Sequence, residues 1–127
     1  MPRNQLGVPQ PKVWYHGTDA DKFDAFDASK IRRGSLGQGV NLTPDAKQAK
    51  LAGRNVAQVN IDVKNPLVAR NVDHAAQQLG VNPEAMLGMP HDQLASALQA
   101  KGHDAISYYG GQNLLVPPAQ TKIIGWK

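Results

Sequence analysis

An α+β fold is what this sequence predicts, on three observations. β-prone runs crowd both ends: VWY at residues 13–15, then DAISYY, NLLVP and TKIIGW between residues 104 and 126. Helix-forming segments lie between those ends. The order lacks the strand–helix–strand alternation that builds a parallel sheet.

The elements follow in chain order. The opening MPRNQLGVPQPK carries Pro9 and Pro11, which deny regular structure before Val13. Residues 1–12 therefore read as a flexible leader, and residues 13–127 as one domain. After the first strand, TDADKFDAFDASKIRRG reads as a loop with a helical turn, anchored to the core by Phe23 and Phe26. GSLGQG is a flexible loop and VNLT a second strand. TPDAKQAKLAG carries helix-start signals, with Thr43 as N-cap, Pro44 at the first helical position and Asp45 in the first turn; Gly53 stops the helix. VAQVNIDV alternates, setting Ala57, Val59, Ile61 and Val63 against Gln58, Asn60 and Asp62, as a half-buried strand does. KNP turns the chain. NVDHAAQQLG and MPHDQLASALQAKG predict two helices, each closed by glycine, and three short strands separated by GGQ and PAQ finish the chain.

Composition removes several classes of function. With no cysteine among 127 residues, a disulfide framework, a thiolate zinc site and a cysteine nucleophile are all excluded. No apolar run approaches the roughly 20 residues of a membrane span, and no signal peptide is evident. No membrane role is expected, and a cytoplasmic site of action is. The net charge of +4 allows an anionic ligand or partner, nucleic acid included. The 6% aromatic content and the lack of a long Lys/Arg run make that last signal weak. His74, His91 and His103 show no metal-ligand spacing and read as surface residues at helix ends, so no metal is expected. Trp14 and Trp126 read as core or edge anchors, and Asp45 as a helix-start carboxylate rather than a base.

Three stretches carry a resemblance. YHGT at 15–18, GQGVNLTPDAKQA at 37–49 and GHDAISYYGGQNLLVPPAQTKI at 102–123 occur in order, with FDAFDASKI before the second. Together they resemble the ADP-ribosyltransferases of the His-Tyr-Glu type, the diphtheria-toxin and poly(ADP-ribose) polymerase lineage, with the related domains of phage and mobile-element proteins. The resemblance implies a split, mostly antiparallel sheet with small inserted helices, and NAD as substrate. His16 would hydrogen-bond a ribose, Gly17 would offer its backbone to the nicotinamide carboxamide, and Thr18 matches a hydroxyl residue that often follows. Gly37 and Gly39 would let the loop fold over the dinucleotide. Lys30, Arg32 or Arg33 would face the pyrophosphate.

Two positions depart from the family pattern. Asn41 stands where the family has the tyrosine that stacks on nicotinamide, and Gln112 where it has the catalytic glutamate. Asn41 offers hydrogen bonds in place of a ring face. Gln112 can bond a ribose hydroxyl but brings no negative charge. His16, Asn41 and Gln112 are thus the expected catalytic set. The cofactor-binding set is His16, Gly17, Thr18, Gly37, Gly39 and Asn41. Three functions remain open: a mono-ADP-ribosyltransferase acting on a host macromolecule, as an effector, toxin or phage-associated domain; a catalytically degenerate module that binds NAD, ADP-ribose or a protein; and a small basic nucleic-acid binder or nuclease. The last lacks a visible two-carboxylate or paired-histidine site.

Overall fold

Among the described residues the fold has two small sheets and four short helices. The computed structural model describes residues 13–31 and 36–127. The expected leader and two of the three candidate pyrophosphate cations, Arg32 and Arg33, lie outside the described residues. The strands are β1 (Trp14–Thr18), β2 (Val40–Leu42), β3 (Asn55–Ile61), β4 (Leu67–Ala69), β5 (Ile106–Tyr108), β6 (Asn113–Val116) and β7 (Thr121–Trp126). The helices are α1 (Ala46–Ala52), α2 (Val72–Leu79), α3 (Pro83–Leu87) and α4 (His91–Ala100). One sheet has the order β1-β3-β7 and the other β2-β6-β5-β4, and every pairing is antiparallel except β4 with β5. The expected α+β class and the split, mostly antiparallel sheet are what the chain forms.

Strand alternation sorts the apolar side chains into two clusters. Trp14 of β1 with Ala57 and Val59 of β3 faces Val40 and Leu42 of β2 and Leu114 and Val116 of β6, so this cluster fills the space between the sheets. The second cluster joins Leu67, Ala69, Ile106, Tyr108 and Leu115, on the opposite face of the second sheet, to Ala75, Ala76, Met86, Leu94 and Leu98 of the helices. Tyr108 is fully buried and its hydroxyl donates to the Leu36 carbonyl (3.0 Å), which ties the loop before β2 to this core.

Several local expectations needed correction. Helix α1 starts at Ala46, and Asp45 rather than Thr43 is its N-cap, accepting from the Lys47 amide at 2.9 Å. Gly53 is its C-cap, as expected. Strand β4 and helix α3 were absent from the sequence reading. Three residues of β4 give too little alternation to register. They become a strand only through parallel pairing with β5, which α2, α3 and α4 make possible as the crossover. Helix α3 is a separate five-residue helix capped by Asn82, whose side chain accepts from the Ala85 amide at 2.7 Å. Gln112 lies in the GGQ separator before β6, as expected, with right-handed backbone (φ −75°, ψ −24°) at the end of a 3-10 turn (Tyr109–Gly111).

Helix α1 presses on β1 so closely that a Cβ on Gly17 would overlap the Ala49 carbonyl oxygen. Backbone and not a flexible side chain is in the way, so relief requires moving the helix. Gly17→Ala is therefore expected to destabilise the protein by about 3 kcal/mol in urea denaturation. Gly88→Ala, at right-handed backbone with ordinary contact distances, should change little; equal effects at both positions would remove the packing argument.

Candidate functional site

The two sheets meet where β1 runs beside β2. Tyr15 and Thr43 exchange both backbone hydrogen bonds (2.8 and 3.0 Å) as an isolated antiparallel bridge. Along a strand, successive residues turn their amide and carbonyl to opposite edges. Tyr15 faces β2, so His16 bonds toward β3, where it is paired with Ala57. By the same alternation the Gly17 amide and carbonyl point to the β2 side of β1. Regular pairing with β2 has ended by then.

The His16 side chain crosses the same junction, with Nδ1 lying 2.8 Å from the backbone carbonyl oxygen of Asn41. A carbonyl only accepts, so Nδ1 carries the proton and Nε2 keeps its lone pair. Burial lowers the pKa of the ring, against the smaller opposing effect of that hydrogen bond. His16 is consequently a neutral imidazole near neutral pH, with an acceptor nitrogen.

His16 belongs to the wall of a cleft of about 620 Å³, a volume ordinary for small-molecule sites. Thr18, Gly39 and Lys30 share that wall with the aromatic pair Phe23 and Phe26. The rings form an edge-to-face series: His16 to Phe26 at 5.0 Å, Phe26 to Phe23 at 5.4 Å, and Phe23 to Trp126 at 5.2 Å. The Trp126 indole donates to the Phe23 carbonyl (3.3 Å), so β7 holds the loop in place. Phe26 packs against the core, as expected, and both phenylalanines also line the cleft, a role not expected from the sequence. Their three-residue spacing beside YHGT was the available signal. Lys22, Lys30, Asp21 and Asp27 also line this cleft, and hydrogen bonds from the Ser29 hydroxyl and amide hold the Asp27 carboxyl below the usual range.

The remaining expected residues lie around this cleft rather than in it. Gly37 has a left-handed φ of +117° that favours glycine, and is buried against Leu115 and Leu94. Asn41 lends its backbone carbonyl to His16, while its side-chain oxygen is buried without a partner among the described residues. Gln112 is exposed and lines a second hollow of about 340 Å³ with Thr43, Asp45, Gln48 and Asn113. Thr43 is the residue bridged to Tyr15, so the two hollows share the β1–β2 junction. Of the expected set, His16, Thr18 and Gly39 come together in one wall, and Gln112 stands in the neighbouring one.

The other histidines stay apart from both hollows. His74 accepts from the Arg70 amide in the first turn of α2, His91 opens α4, and His103 bonds the Asn65 carbonyl after α4. Among the described residues no cluster of three or more His, Asp or Glu could hold a metal, and no helix is long and apolar enough to cross a membrane.

Comparison with known proteins gives a family match over residues 8–124, to a model described as "ADP-Ribosyltransferase in polyvalent proteins". A crystal structure of an anti-CRISPR protein is similar at 14% identity and a TM-score of 0.46, covering 88% of this chain and 94% of that one. No match is found among the curated proteins.

The depressed pKa of His16 has a consequence for stability. Below the unfolded pKa of about 6.5 the unfolded chain binds the proton more readily than the native one. The contribution is intact above that value and declines as pH falls through it toward the lower native pKa. Between about pH 7.5 and 5.5 the wild type should lose more melting temperature than His16→Gln. Parallel losses in calorimetry would place the titration elsewhere.

Proposed function

Because the chain belongs to the family of ADP-ribosyltransferases found in polyvalent proteins, we propose that it is an NAD-dependent mono-ADP-ribosyltransferase of the His-Tyr-Glu type that modifies a macromolecule. The observation that carries this reading is the junction itself. The His16 imidazole lines a 620 Å³ cleft beside the β1–β2 junction, and strand alternation turns the Gly17 amide and carbonyl to the β2 side of β1, which supports this reading. These groups fit NAD. A carboxamide needs one donor and one acceptor, which Gly17 offers. A ribose hydroxyl can donate to Nε2 of a neutral histidine. The ring faces that an aromatic base packs against are supplied by Phe23 and Phe26, where the usual tyrosine position holds Asn41. Lys30 is the cleft cation nearest in role to a pyrophosphate partner, set beside Lys22.

In the transfer, the bond between C1′ of the ribose and the nicotinamide nitrogen breaks, and its electron pair leaves with nicotinamide. The sugar passes through an oxocarbenium-like state, as in glycoside hydrolysis. A nucleophile of the acceptor then bonds C1′ and gives up its proton. The protein's part is to hold the two ends of NAD and to exclude water. Gln112 accepts from a hydroxyl of the nicotinamide ribose through Oε1, and its amide brings no charge to the developing cation. Asp45 stands in the same hollow, with one oxygen engaged by the Lys47 amide. A preorganised electrostatic group contributes roughly 2.7–4 kcal/mol to a transition state, so turnover with a neutral amide should be slow.

A second reading draws on the same two substitutions: a module that binds NAD or ADP-ribose without transfer. Nicotinamide release from NAD separates the two. On the transferase reading Gln112→Glu should raise release and Gln112→Ala should abolish it, with NAD affinity only modestly lower. Equal rates above background in all three proteins would remove Gln112 from the reaction, and NAD binding with no release from any would favour the module.

His16→Ala should weaken NAD binding by about 0.5–1.5 kcal/mol through the lost hydrogen bond. Isothermal calorimetry reads this loss. Because the ring also pins Asn41 and packs on Phe26, the comparison needs temperatures at which both proteins are fully folded. An unchanged affinity would take His16 out of the binding site.

A further inference from the structure

We infer a second binding surface, on the outer side of α1, that docks an acidic segment of a partner protein. Lys47, Lys50, Arg54 and Lys127 surround a hollow of about 190 Å³ whose remaining lining is Ala46 and Val56. These cations are scattered over some eighty positions of sequence, and only the packing of α1 and the end of β7 against β3 gathers them. Lys127 is fixed there by its amide, which donates to the Val56 carbonyl (2.9 Å). Among the described residues Lys47, Lys50 and Lys127 carry no ion pair. Arg54 meets Asp21 at 3.5 Å, but with both side chains largely in solvent that pair holds it only weakly.

Two features select the class of partner. Leu51 is 82% exposed, the most exposed large apolar side chain among the described residues, and stands on α1 one turn from Lys47 and next to Lys50 in sequence. An exposed apolar side chain beside a group of cations matches a polypeptide that presents a hydrophobic side chain among Asp and Glu. A leucine offers nothing to a phosphate backbone, and no aromatic ring lines this hollow on which a base could stack. The adjoining loop also restricts the ligand. Asp19, Asp21, Asp24 and Asp27 are all exposed, and Asp19 accepts from the Arg54 amide (3.0 Å). A nucleic-acid strand continuing past Arg54 would meet the carboxylates of Asp19 and Asp21, whereas a short acidic segment ends before them.

The surface is separate from the NAD cleft, yet Arg54 and Asp21 connect their rims, since Asp21 lines the cleft. A protein docked on α1 is thereby held beside the proposed reaction site. The inference does not depend on transfer taking place, because a binding module would use the surface equally.

The test measures binding of a fluorescent poly-glutamate peptide, with an oligonucleotide of matched charge as competitor. The wild type should bind the peptide at low salt and prefer it to the oligonucleotide. Lys47→Glu with Lys50→Glu should weaken peptide binding at least about tenfold by placing like charges at the contact. A glutamate peptide with one central leucine should bind more tightly than poly-glutamate, and Leu51→Ala should erase that difference. NAD affinity, read by calorimetry on the same variants, should not move. No peptide binding, binding indifferent to the lysines, preference for the oligonucleotide, or loss of NAD binding with the lysines would each overturn the inference.

Discussion

The exchange of two hydrogen bonds between Tyr15 and Thr43 is the constraint from which the rest of the site follows. Each sheet is otherwise paired within itself, and this one bridge sets β1 alongside β2. Because edges alternate along a strand, the bridge also decides which way Gly17 points. A bridge one residue earlier or later would turn the Gly17 amide and carbonyl into β3. The His16–Asn41 hydrogen bond reinforces the same junction and fixes the imidazole tautomer in doing so. The groups proposed to bind NAD and those that attach the sheets are the same piece of structure.

Helix α1 supports that junction from the other side. Its close seat on Gly17 positions the strand, its first turn forms part of the hollow that holds Gln112, and its outer face carries Lys47 and Lys50. Seven residues with a single buried alanine supply little hydrophobic burial of their own. The helix therefore depends on the Asp45 cap and on contact with β1, and a disturbance of either reaches all three regions.

On the reading of NAD as substrate, aromatic surface and negative charge have both been redistributed. The ring faces of the cleft come from Phe23 and Phe26, held by Trp126 of the distant β7, so a residue at the far end of the sequence orders the loop after the first motif. On that reading a charge-neutral Gln112 would supply a hydrogen bond without the electrostatic contribution of a carboxylate.

Period and punctuation in the sequence were enough to determine the α+β class, the strands at both ends, the glycine closing α1 and the helices α2 and α4. These are local properties, set by side-chain alternation and by capping groups a few residues apart. The motifs around His16, Gly17 and Thr18 were legible for the same reason, being contiguous. What spans the chain was not. β4 exists only by pairing with β5 across 39 positions of sequence (67 against 106), and the partner of His16 lies 25 residues away. Gln112 in its own hollow, the phenylalanine wall and the gathering of Lys47, Lys50, Arg54 and Lys127 depend on which faces meet once the sheets close. Local pattern specifies which face of each element is apolar; only packing decides what the polar residues at the margins of those faces come to stand beside.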